Sequence, residues 1–161
     1  MQKIPNINLH IGAEQDLAQN FENQEVAIVN VAGNLHTKIL GTRPNSNHPN
    51  YILYKRDRIL SVNFVDGEDP KYYDWQSDGV SVFTQILDFI KNQKGKKVLI
   101  NCNQGISRSP SVTMVYLAKR LKSVSNKSFD SAMEDFVKLY PNYTPGLGIR
   151  LFLSQNWNNI K

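Results

Sequence analysis

Residues 97–110 read KVLINCNQGISRSP. Lys97 to Ile100 form a short apolar run of the kind that makes a strand buried on both faces, and that strand leads straight to Cys102. Past the cysteine, Ser109-Pro110 has the residue types of a helix N-cap and first helical position. Val112, Met114, Val115, Leu117, Ala118 and Leu121 then fall on nearly every side of the helix, which predicts a central, buried one. The segment is thus a strand, a loop and a helix in succession, and the chain's one cysteine stands where strand gives way to loop.

Outward from this segment, strand and helix patterns alternate. Ile7, Leu9 and Ile11 recur at period two, Ala13 to Asn23 is polar and tolerant of helix, and Val26 to Val31 is a second apolar run. Gly41 to Asn50, polar with two prolines, reads as an exposed loop. Tyr51 to Tyr54 and Ile59 to Phe64 are β-rich, and the acidic segment Asp66-Gly67-Glu68-Asp69-Pro70 is turn-prone. Asp78 is placed to cap a helix whose stripe is Val80, Phe83, Ile86, Leu87 and Ile90, with Gly95 beyond its end. Two more helices follow, one from Ser128 with Phe129, Ala132, Met133, Phe136 and Tyr140 on one face, the other from Gly146 with Leu147, Leu151, Phe152 and Trp157. The pattern predicts an α/β fold: a mostly parallel, twisted sheet of about 4–5 strands with helices on both faces.

The 161 residues suit a single domain spanning residues 1–161. Hydrophobic residues make up 40% and charged ones 20%, too apolar a balance for a disordered chain. The net charge of +5 favours an anionic partner. Its cations are scattered as Lys55, Arg56 and Arg58; Lys94, Lys96 and Lys97; Lys119, Arg120 and Lys122, not interleaved with aromatics. They read as solvated faces, and no nucleic acid partner is expected. A lone cysteine excludes an intramolecular disulfide and a multi-cysteine zinc site. The opening MQKIPNINLHIG lacks an apolar stretch of about 7–15 residues, and no apolar run approaches about 18 residues. Neither a cleaved leader nor a membrane partner is expected, and the predicted setting is the reducing cytoplasm, with the chain a monomer.

The first amides of a helix lack internal partners and carry partial positive charge, so an anion is stabilised there, whether phosphate or thiolate. Cys102 is predicted to be ionised at neutral pH, because such positions depress a thiol pKa. Five residues separate Cys102 from Arg108. They suffice to wrap the amides of Asn103, Gln104, Gly105, Ile106 and Ser107 around phosphate oxygens, with Gly105 supplying the bend. The planar fork of Arg108 can donate two parallel bonds to phosphate and stabilise a phosphoryl group in transfer. Ser109 carries a hydroxyl able to donate to the cysteine sulfur.

The run C-N-Q-G-I-S-R-S matches the C-x-x-G-x-x-R-[ST] signature of the protein tyrosine phosphatase superfamily, and its surroundings resemble the dual-specificity branch. The likeness covers most of the chain: Asn8 to Ala13 resembles the family's first strand, Ile28 to Ala32 its second, and Phe129 to Pro145 its closing helix and turn. The resemblance implies hydrolysis of phosphate monoesters through a cysteinyl-phosphate, with Cys102 as nucleophile, Arg108 as clamp, Ser109 as helper, and no metal or organic cofactor. The implied substrate is a phosphorylated protein or peptide. By the same likeness Asp66 falls where the family keeps its general acid, on a loop after a strand. The chain departs from the pattern at Asn101, where the family usually has histidine. Asparagine can donate a hydrogen bond but carries no charge, so Cys102 is predicted to keep a depressed pKa, less depressed than with histidine.

Glu68, Asp69 and Asp74 share the acidic loop and compete with Asp66, the alternative for any of them being a turn or helix cap. His10, His36 and His48 are too dispersed for a metal site and read as strand or loop residues. Trp75 and Trp157 read as core or rim. Two rival functions remain in view. One is a silent phosphate-binding module that keeps Arg108 and the amides; the other is a phosphatase for a non-protein phosphoester such as a phosphoinositide or an RNA 5′ end. The neutral side chains of Asn103, Gln104, Ile106 and Ser107 weigh against a highly charged ligand. The chain is too short for the larger tyrosine-specific domain, so the cup is predicted to be shallow.

Overall fold

In the computed structural model, residues 1–93 and 95–161 are described; Lys94, one of the scattered cations, lies outside the described residues. In chain order the elements are β1 (Gln2–Lys3), β2 (Leu9–Gly12), α1 (Glu14–Asn20), β3 (Val26–Asn30), α2 (Gly33–Leu40), β4 (Leu53–Arg56), β5 (Ile59–Val62), α3 (Gly79–Asn92), β6 (Lys97–Asn101), α4 (Arg108–Tyr116), α5 (Phe129–Leu139) and α6 (Leu147–Asn156). The strands form one six-stranded sheet in the order β1-β2-β6-β3-β5-β4, one strand more than the sequence patterns indicate. The addition is the two-residue β1, antiparallel to β2 and too short for any periodicity to register.

β2, β6, β3 and β5 run parallel. Parallel crossovers are right-handed, since only that hand folds a helix back onto a twisted sheet. The steps β2 to β3 and β3 to β5 move one way across the sheet, and β5 to β6 moves back. That reversal puts α1 and α2 on one face and α3 on the other, as an α/β fold requires. β6 is central, and its register pairs Asn101 with Gly12 on β2 and with Asn30 on β3. The carboxyl ends of three parallel strands therefore finish level, which is where open α/β sheets place their ligands.

All nine residues of α4 are buried, as apolar positions on nearly every side predict, and the helix continues as a π-turn over Leu117–Leu121. The helix starts earlier than Ser109-Pro110 suggests, with Ser107 in the cap position and Arg108 first. Pro110 then falls in the opening turn, where no backbone donor is needed. β4 begins at Leu53, two residues later than the run Tyr51 to Tyr54. Asp78 occupies the cap of α3 without capping it; Asp74 Oδ1 accepts from Gly79 N instead, at 2.9 Å.

α2 is an element that the sequence patterns do not announce. Its apolar residues are few, and Gly33 and Asn34 are weak helix formers. What defines it is its stop: Gly41 adopts φ +77°, its N–H donating to Thr37 O at 3.0 Å and Lys38 O at 3.2 Å. Two of the cations read as solvated are buried. Arg58 donates to the Val26 and Phe21 carbonyls, and Lys119 donates to the Trp157 carbonyl while lying over its ring. Among the described residues no helix is long and apolar enough to cross a membrane.

Candidate active site

β6 ends at Asn101 and α4 begins at Arg108, so Cys102 to Ser107 form a tight loop at the carboxyl edge of the central strand. The loop starts on a tether, Cys102 N donating to Gly12 O across the β2–β6 pair at 3.3 Å. Gly105 turns it back with φ +73°, and a Cβ there would sit 3.2 Å from Gly12 O, so both conformation and space call for glycine. Its far side is pinned by Tyr140, whose hydroxyl donates to Gly105 O at 2.7 Å, and by Thr144 N, which donates to Ile106 O at 2.8 Å. Ser107 Oγ accepts from Gly146 N at 2.9 Å. Among the described residues, the N–H groups of Asn103, Gln104, Ile106, Ser107 and Arg108 meet no protein acceptor, leaving a cup of free donors of the kind that holds an anion.

Cys102 lies at the base of this cup and is only 2% exposed. Its Sγ is 3.2 Å from Ser109 Oγ and receives the Gly105 N–H at 3.3 Å. Burial alone would push the thiol up. The donors of Ser109, side chain and backbone, with Gly105 N–H and the Arg108 charge, outweigh it and hold the thiol below its ordinary value. Arg108, itself buried, is aimed by two bonds: Nη1 to Phe64 O and Nη2 to Asn103 Oδ1, both 2.8 Å. Its Nε–H has no protein acceptor among the described residues.

Asp66 sits on the loop after β5, exposed to solvent. A Cβ on Gly146 would stand 3.5 Å from both Asp66 Oδ1 and Ser107 Oγ, so the carboxylate and the cysteine loop meet over the same small patch. Two of the other acids of the loop are employed elsewhere. Asp69 caps the turn at Pro70, accepting from Lys71 N at 2.9 Å, and Asp74 caps α3. The loop is held close to α6 at Gly148, where an added Cβ would come within 2.2 Å of Gly67 O. Tyr73, fully buried beneath the loop, has its phenol pushed up by burial.

Asn101 does not turn toward the thiol. Its Nδ2 donates to Asn30 Oδ1 at 3.0 Å, and its own Oδ1 is buried without a partner. Asn30 Nδ2 donates to Ser61 Oγ at 3.0 Å, and Ser61 Oγ is 2.8 Å from His36 Nδ1. His36 Nε2 is 2.8 Å from the Asn50 carbonyl. A carbonyl only accepts, so Nε2 carries the proton, Nδ1 accepts, and Ser61 donates to it. Burial lowers the His36 pKa, consistent with this neutral form. His36 is thus a helix residue inside a buried polar chain, not the strand or loop residue that its sequence context suggests. Sequence reading also missed Tyr140, the Phe64 and Gly12 carbonyls and the Asn103 side chain. Backbone acceptors leave no mark in a sequence, and Tyr140 reads there as one more residue of an apolar stripe.

The family model described as "Dual specificity phosphatase, catalytic domain" matches residues 9–143. The chain belongs to the dual specificity phosphatase family. The matched span takes in Asp66, Cys102, Arg108 and Ser109. Human dual specificity protein phosphatase 5 is 38% identical over 69 residues, a stretch that is 42% of this chain and 18% of that protein. The match therefore spans less than a fifth of the curated relative's length. The solved phosphatase domain of Yvh1 from Chaetomium thermophilum is similar with a TM-score of 0.60 at 19% identity, covering 98% of this chain and 95% of that one. Human tyrosine phosphatase-like serine/threonine/tyrosine-interacting protein gives 0.58 at 19%, covering 95% and 92%. At such identities the likeness to this dual specificity phosphatase chain is one of fold.

Proposed function

We propose that this member of the dual specificity phosphatase family hydrolyses phosphate monoesters on proteins through a cysteinyl-phosphate intermediate, acting on phosphotyrosine and, through a cup open to several phosphoesters, on phosphoserine and phosphothreonine. The observation that carries this reading is the sulfur of Cys102, within 3.2 Å of Ser109 Oγ and 3.3 Å of Gly105 N at the base of a ring of unassigned amides. Phosphate oxygens take the amides of Asn103, Gln104, Ile106, Ser107 and Arg108 and the free Nε–H of Arg108, which bring phosphorus in line with Sγ. The thiolate attacks, forming an S–P bond as the P–O bond to the substrate breaks, and the Asp66 carboxyl delivers its proton to the departing oxygen. Asp66, now a carboxylate, takes a proton from water, whose oxygen attacks phosphorus. The S–P bond breaks, phosphate leaves, and the sulfur departs as a thiolate toward which Ser109 donates.

The test is turnover of a generic aryl phosphate by the wild type and by Cys102→Ser, Arg108→Lys and Asp66→Asn. Loss of nearly all activity in the first two, with Asp66→Asn flattening the basic limb of the pH profile, is the expected outcome. A protein that retains a phosphopeptide but turns over nothing is instead a silent phosphate-binding module.

A further inference from the structure

A cavity of about 550 Å³ opens between the first turn of α2, the 41–50 loop and the acid loop. Asn103, Arg108 and Asp66 form part of its lining, so it is continuous with the candidate site, and of its remaining wall that site uses only the Phe64 carbonyl, which aims Arg108. That wall is fixed in advance. His36 Nε2 holds the Asn50 carbonyl at 2.8 Å, Asn63 Nδ2 holds the Tyr51 carbonyl at 3.1 Å, and Trp75 Nε1 reaches the Asn63 carbonyl at 3.3 Å. The Tyr51 and Trp75 rings meet edge to face with centroids 5.3 Å apart. A pocket whose walls need no ordering spends little of its binding energy on reorganisation.

Arg43 stands apart from this framework. It lines the cavity, is exposed, and makes no ion pair or hydrogen bond among the described residues. Two guanidinium groups, Arg43 and Arg108, face the space against one carboxylate, Asp66. With Arg108 committed to the reacting phosphate, Arg43 is the cation left without a partner among the described residues, and an unpaired guanidinium facing a cleft draws an anion.

We propose that this cavity is a second subsite for an anionic side chain of the substrate, a carboxylate or a second phosphate on a residue close to the scissile one, with Arg43 as its specificity-determining ligand. The proposal rests on the phosphatase reading of the Cys102 loop. An extended peptide advances about 3.3 Å per residue, so a residue one or two places away brings its charge to a cavity adjoining the cup. One uncommitted cation suits one additional anion, and the aromatic wall suits the apolar part of a peptide. A polyphosphorylated headgroup would require several cations, and the side chains of Asn103, Gln104, Ile106 and Ser107 supply none.

The experiment compares kcat/KM for phosphotyrosine peptides that differ at the flanking residues on either side, which are glutamate, phosphothreonine or glutamine, in the wild type, Arg43→Gln and Arg43→Glu. An aryl phosphate is turned over in parallel. The expected result is a preference on the order of 10-fold, about 1.4 kcal/mol, for the charged flanks over glutamine in the wild type, eroded by salt. That ratio falls toward one in Arg43→Gln and inverts in Arg43→Glu. The glutamate and phosphothreonine arms tell which anion is preferred. A ratio near one in the wild type, a ratio that survives both substitutions, or faster turnover of phosphoinositide vesicles than of any peptide overturns the subsite while leaving the phosphatase reading intact. Absence of aryl phosphate turnover by the wild type overturns both.

Discussion

Replacing Ser109 with alanine isolates one bond to the reacting sulfur. Ser109 is fully buried, and its Oγ lies 3.2 Å from Cys102 Sγ and 3.3 Å from Gly12 O. The Gly12 carbonyl also accepts from Cys102 N, so the substitution orphans no buried acceptor there and the fold should hold. What is lost is a donor to an anion, worth about 1.5–3 kcal/mol. At about 1.36 kcal/mol per tenfold in rate, a bond of that size expressed in one step slows it by about 10- to 150-fold. The step concerned is the second, in which sulfur leaves as a thiolate. In the first step the thiolate is the attacking species, and a donor to it offers no equal advantage.

Stopped-flow turnover of an aryl phosphate by Ser109→Ala should therefore show a burst of released alcohol as large as the enzyme concentration, followed by a steady state slower by the factor given. The pH midpoint for alkylation of Cys102 should move upward, because the Ser109 hydroxyl that favours its charged form is gone. Intermediate hydrolysis within twofold of wild type, or an alkylation curve that does not move, would show that Ser109 serves as helix and loop packing alone.

Two further outcomes follow from the geometry. Gly105→Ala forces a side chain into a φ of +73° with its Cβ 3.2 Å from Gly12 O; the left-handed cost of about 1–2 kcal/mol lowers Tm by about 2–8 °C in a chain of this size, and an unchanged Tm would mean that the loop relaxes freely. Burial lowers the His36 pKa in the folded state, whereas the unfolded chain takes up a proton below about pH 6.5. The unfolded state thus binds more protons there, and stability is full above that pH and declines as pH falls toward the lowered folded value. Urea midpoints at about pH 7 and about pH 5 should differ more in wild type than in His36→Gln; equal differences would remove His36 as the cause.

The central strand, the cysteine loop and the buried helix were legible because each leaves a local mark: an unbroken apolar run, fixed offsets among Cys102, Gly105, Arg108 and Ser109, and apolar residues on every side of α4. Asp66 is singled out in the sequence only by likeness to a family, since Asp69 and Asp74 are the same chemistry a few residues away. What separates them is three-dimensional: Asp69 and Asp74 are taken up as caps, and Asp66 alone comes up to Gly146 opposite the cysteine loop. α2 and β1 went unseen because one is defined by its glycine stop and the other by a partner strand. The polar chain from Asn101 through Asn30 and Ser61 to His36 joins positions far apart in sequence, and no local pattern connects them. It also changes what Asn101 is for. Its side chain bonds to Asn30 on β3, and the depression of Cys102 comes from Ser109, Gly105 and Arg108.

The most direct measurement is rapid-quench mass spectrometry of the wild type mixed with an excess of aryl phosphate, followed by digestion and mapping of the modified peptide. One phosphoryl group on Cys102 and nowhere else, formed within the first turnover and lost as phosphate appears, is the expected result. Steady turnover with Cys102 never phosphorylated, or turnover that persists in Cys102→Ser, would contradict it.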